Sequence, residues 1–182
     1  MANITAIRNV ETVEEWIAVI AGANGKTEEW MSEVVRRIQA TGIANLFVSQ
    51  RDVQPEGISG AIRGMFGGKR RPFLEVVNNN LKTFVMYVSA RDYGNNLNVS
   101  WYMTAEMRRH GVIARMVVQK RNFKWFKEFS PATLDIFDRE ELAAYTTIVH
   151  HAVTGATEDL MKNLNLDFTK VDTHTRGFLN IS

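Results

Sequence analysis

The chain has 182 residues, 45% of them apolar and 23% charged, with a net charge of +2 and no cysteine. That length and balance suit one globular domain, residues 1–182, large enough to bury a core without covalent staples. The missing thiols exclude disulfides, thiolate metal sites, cysteine nucleophiles and iron–sulfur clusters, and they fit a reducing compartment.

Residues 1–42 are predicted to form a helical hairpin. Val13, Trp16, Ile17 and Ile20 recur at helical spacing, and Gly22 with Gly25 ends that run. The second helix starts from Thr27 as N-cap, with Glu28 and Glu29 where the helix dipole favours negative charge. Its apolar stripe is Trp30, Met31, Val34 and Ile38, and Gly42 closes it. Glu33 and Arg37 are four apart and are expected to pair on the solvent side. The apolar run Trp16–Ala23 follows three glutamates and falls far short of the ~20 residues of a spanning helix. No transmembrane or targeting segment is therefore read, and a cytoplasmic location is expected.

A strand is predicted from Ile43 to Val53, followed by a loop with five glycines between Pro55 and Arg71. Period-two patterning then takes over. Phe73–Val77 is a short strand. Phe84, Met86, Val88 and Ala90 share one face of Leu81–Arg91, and Leu97, Val99, Trp101 and Met103 share one face beyond the turn Tyr93-Gly94-Asn95-Asn96. Together these make an antiparallel hairpin with one buried side. Residues 104–129 fit two patterns, with a strand at Val112–Val118 favoured over a helix.

Ser130-Pro131 is a helix-start pair, and Asp138 with Glu141 forms a start resembling a capping box. Leu142, Tyr145, Val149, Ala152, Val153, Ala156 and Leu160 then trace one stripe to about Leu164, with Gly155 a place where the helix could kink or divide. A final strand is expected from Val171 to Ile181. The predicted fold class is α+β: an N-terminal helical hairpin, an antiparallel sheet of four to six strands, and a long C-terminal helix packed on the sheet.

Charge is segregated along the chain. Residues 1–57 carry a net −3, residues 58–127 a net +10, and residues 128–182 a net −5. Block asymmetry of this kind points to an anionic partner, unless acidic helices pack beside the basic region and neutralise it.

The motifs for chemistry are weak. Gly68-Lys69 lacks the glycine of a phosphate-binding loop, since Arg63 holds its place and Arg70 stands where the metal-binding hydroxyl belongs. Ser59 lacks the glycine two residues on that a nucleophile elbow requires, having Ala61 instead. Of the four histidines, adjacent His150 and His151 point about 100° apart on a helix. His150 falls at the flank of the stripe and His151 on the wetter side, so surface or cap roles are expected and no metal site. Asp135, Asp138, Glu140 and Glu141 cluster at a helix start, where capping accounts for them. No cofactor and no catalytic residue is assigned.

The segment Arg108–Phe129 carries seven cations against one carboxylate, with Phe123, Trp125, Phe126 and Phe129 interleaved. Cations neutralise phosphates, and aromatic faces stack on bases or sit at a lipid interface. The expected function is a non-enzymatic binding module holding an anionic partner such as nucleic acid. Arg63, Lys69, Arg70, Arg71, Arg108, Arg109, Arg115, Lys120, Arg121, Lys124 and Lys127 supply the field, and Trp125 and Phe126 stack or insert. The alternatives are peripheral association with an anionic lipid surface through residues 108–129, or an enzyme acting on a phosphorylated small molecule with His110 or His174 as acid–base. The sequence assigns no oligomeric state.

Overall fold

The computed structural model describes residues 4–7, 10–55, 71–106, 134–179 and 181. Among them one sheet of seven strands runs β1 (Ile4–Ile7), β3 (Leu46–Pro55), β4 (Arg71–Asn78), β5 (Phe84–Tyr93), β6 (Asn96–Glu106), β2 (Val10–Ile20) and β7 (Arg176–Gly177) in spatial order. All neighbours are antiparallel except β1 with β3. Two helices, α1 (Thr27–Ala40) and α2 (Ile136–Asn163), pack on one face. The α+β class holds, with one strand more than expected.

The N-terminal helical hairpin does not form. Its first member is the strand β2, paired along its length with β6 from Val10↔Glu106 to Ile20↔Leu97. Val10, Thr12, Val13, Ile17, Val19 and Ile20 are β-branched and suit a pleated surface. Trp16 and Ile20, which fit a helical stripe, also fit a strand whose even positions face the core.

Helix α1 forms as read, with Trp30, Met31, Val34 and Ile38 buried. Thr27 is its first helical residue rather than its cap, a place taken by Lys26 without a side-chain hydrogen bond. Helix α2 begins after Asp135, whose carboxylate accepts from the Asp138 amide at 2.8 Å, so the cap lies three residues before the one expected. It runs unbroken through Gly155.

The sheet's helix-side face is written with period two: Leu74 and Val76, Phe84 to Ala90, and Leu97 to Ala105, all in contact with one core that includes the stripes of both helices. The β5–β6 hairpin has its register, closing at Tyr93↔Asn96, as the turn signal indicated. The opposite face was expected to meet solvent. Instead Phe73, Tyr87, Tyr102, Ser100 and Thr104 are buried there, with Phe73 and Tyr87 edge to face.

The reason is curl. Ile7 pairs with Pro55 on β3 and Val10 pairs with Glu106 on β6. In a flat sheet β1 and β2 would lie five strand spacings apart, about 24 Å. Ile7 and Val10 are three peptide steps apart, at most about 11 Å. The sheet therefore bends until its two sides approach.

The expected C-terminal strand from Val171 to Ile181 reduces to the two-residue β7 on the outer edge of β2. A 3₁₀ turn, Phe168–Lys170, leads from α2 into this segment. No helix of the described residues is long and apolar enough to cross a membrane.

Candidate functional site

Of the predicted partner-binding residues, Arg71 alone lies among the described ones, as the first residue of β4, paired with Val53. Arg63, Lys69 and Arg70 lie outside the described residues, as do Arg108, Arg109, Arg115, Lys120, Arg121, Lys124, Trp125, Phe126 and Lys127. The Val112–Val118 strand, the Ser130-Pro131 pair and His110 also lie outside them.

What the described residues do with their own charge is informative. They contain eleven Lys and Arg against eighteen Asp and Glu, a net of −7, while residues 56–70 and 107–133 together carry ten against two, a net of +8. Many cations of the fold are engaged. Lys26 pairs with Glu29 at 2.7 Å, Arg51 with Glu75 at 3.0 Å and Lys162 with Glu158 at 2.6 Å. Arg36 and Arg37 share Glu33, and Arg37 also bonds Asp159 on α2. Arg91 lies 5.5 Å from the centroid of the Tyr93 ring.

The curl also brings together the points from which the two basic segments leave the sheet. Residues 56–70 connect Pro55 to Arg71, and residues 107–133 follow Glu106. Pro55 sits beside Ile7, and Glu106 sits beside Val10. With paired Cα atoms about 5 Å apart and three peptide steps between, Pro55 and Glu106 are no more than about 21 Å apart.

A second constellation, which sequence reasoning missed, lies at the other side of β2. Glu14 is fully buried, follows a β-bulge between Thr12 and Glu14, and accepts hydrogen bonds from the Thr175 hydroxyl and, at 2.8 Å, from the Leu179 amide. His150 was expected at the surface or as a cap, but it is 1% exposed. The Trp101 indole donates to its Nδ1 at 3.2 Å, and its ring lies edge-on to Trp16 and Trp101. The Trp16 indole in turn donates to the Asp172 carbonyl at 2.8 Å. Burial pushes the pKa of His150 down to about 4, helped by His151 next to it and opposed by a hydrogen bond to the Thr173 backbone. Its place on the flank of the α2 stripe was the signal for it, because a flank becomes interior when a third element closes over it.

Chemically this cluster is a tie between elements rather than a reaction centre. His174 and Asp172 pair at 3.2 Å on the surface, where bonds from the His174 amide and ring hold Asp172 below the usual carboxylate range. They line a shallow concavity with Glu15, Trp16, Ile17 and Arg176, of about 40 Å³. That space takes a few waters, not a phosphorylated metabolite. Among the described residues no group of three or more side chains is placed to hold a metal ion.

Comparison with protein-family models, curated proteins and solved structures finds nothing that matches this chain.

Proposed function

We propose that the chain is a non-enzymatic binding module whose basic central region holds an anionic partner such as nucleic acid. The observation that carries this reading is the shared origin of the two basic segments. Both leave the curled sheet from points within about 21 Å, a span of a few nucleotides. They rise from a fold that is itself acidic and has engaged many of its own cations. An excess of ten cations over two carboxylates on those segments attracts phosphates, and Trp125 and Phe126 offer ring faces for stacking.

The test is a titration of labelled single-stranded DNA and RNA between roughly 50 and 200 mM salt. The expected result is an affinity whose logarithm falls linearly with the logarithm of salt, with a shallower slope when Lys120, Arg121, Lys124 and Lys127 are changed to Gln. Affinity indifferent to salt, or absence of binding to either polymer, overturns the reading. Flotation with anionic but not neutral liposomes, without nucleic-acid binding, would replace it with a membrane surface.

A further inference from the structure

Residues 172–179 and 181 lie across the edge of β2 as a strap, held by side chains more than by a ladder. Its strand pairing is two residues long, Glu14↔Gly177 and Glu15↔Arg176. The Thr175 amide donates to the Ile181 carbonyl at 2.9 Å, and the Ile181 amide donates to the Thr175 hydroxyl oxygen at 2.8 Å, so the strap folds on itself around Thr175. Thr175 and the Leu179 amide both end on the Glu14 carboxylate.

Beneath the strap, His150 is sealed by Trp16, Trp101 and Thr173. An indole is a donor only, so Nδ1 of His150 must be the acceptor and the ring is neutral with its proton on Nε2. A second proton on Nδ1 would set two N–H groups against each other in a buried site. The charged or titratable groups on the elements packed here are His151 on α2, Glu14 and Glu15 on β2, and Asp172, His174 and Arg176 on the strap itself; Glu14 is buried and accepts from Thr175 and the Leu179 amide, while Glu15 and the strap groups line the exposed concavity.

We propose that the strap is an acid-released latch: protonation of His150 opens it from β2, uncovering Trp16 and the outer edge of that strand. Opening lets water reach the imidazole, and relief of burial, the largest cause of its lowered pKa, outweighs the loss of the Thr173 backbone bond. The open state therefore binds the proton more tightly than the closed one, and acid favours opening. If the open imidazole returns to its ordinary value of 6.5 from about 4, the opening constant rises about 30-fold between roughly pH 7.5 and pH 5.

Native-state amide exchange on the full chain, corrected for intrinsic pH dependence, tests this. The Thr175, Leu179 and Ile181 amides are expected to open about 30-fold more often at the lower pH, while amides of Val149 and Val153 in α2 do not follow. His150→Gln, which keeps an acceptor toward Trp101 but does not titrate, is expected to abolish the rise. Should that variant not fold, the ring of His150 in the natural chain is followed by NMR, and its protonation must coincide with strap opening. A strap whose opening is flat with pH, opens only with α2, or keeps its pH dependence in His150→Gln overturns the proposal.

Discussion

The Arg37 guanidinium occupies the space that a side chain at residue 155 would fill: a Cβ on Gly155 would stand 2.5 Å from Arg37 Nη1. Glycine in the middle of α2 thus serves passage rather than bending, and it lets α1 send a cation across to Asp159 while the same side chain holds Glu33 at 2.8 Å. The helix contact is built on this crossing, with Trp30, two turns before Arg37 on α1, bonded to Thr157 on α2.

Gly155→Ala should consequently fail to deliver the ~1 kcal/mol that alanine normally adds to a helix interior. The Arg37 head group must shift, and the loss of its half-exposed pairs offsets the gain. In an Arg37→Ala background the same substitution is expected to stabilise by about 1 kcal/mol. A urea-denaturation double-mutant cycle reads the difference, and identical effects in both backgrounds would contradict the crossing.

Thr157 is fully buried and its hydroxyl accepts from the Trp30 indole at 3.1 Å while donating to the Val153 carbonyl. Thr157→Val keeps the shape and strands the indole N–H in the core. It is expected to cost about 1–3 kcal/mol, against under about 1 kcal/mol for Thr157→Ser. Equal losses for the two would show that shape, not the hydrogen bond, matters there.

Gly177 approaches β2 so closely that a Cβ would fall within contact of the Glu14 carboxylate and the Val13 carbonyl. Gly177→Ala should therefore loosen the C-terminal strap while leaving α1, α2 and the β5–β6 hairpin folded. Limited proteolysis is expected to cut selectively within residues 172–181 in the variant at neutral pH. Cleavage equal to that of the natural chain would mean the close approach is not what holds the strap.

His150 also makes a pH-dependent contribution to overall stability. Its pKa is lowered on folding, from 6.5 to about 4, so the unfolded chain binds the proton first as pH falls. The contribution is complete above about pH 6.5 and is lost as pH falls through about 4, amounting to roughly 3 kcal/mol. Denaturation midpoints of the natural chain and of His150→Gln should converge across that window. A constant difference between them would remove the histidine as the cause.

Several features are legible in the amino-acid sequence itself. The stripes Trp30-Met31-Val34-Ile38 and Leu142 to Leu160, and the alternation in β5 and β6, set the phase of four elements correctly because period is a local property of the chain. The turn at Tyr93–Asn96 set a register for the same reason. Residues 10–20 were misread as a helix because their partner is not local. Val13, Trp16, Ile17 and Ile20 satisfy a helical spacing, but β6, about 80 residues away, offers a full-length ladder that outweighs it.

Composition along the chain by itself determined the split between acidic flanks and a basic middle, because charge is a sum that folding does not change. Tertiary structure alone decided where those stretches begin, since the Ile7–Val10 link, by bending the sheet, draws Pro55 and Glu106 together. It likewise decided that a flank histidine is interior, because burial depends on what packs over a residue, and the strap over His150 arrives from the far end of the chain.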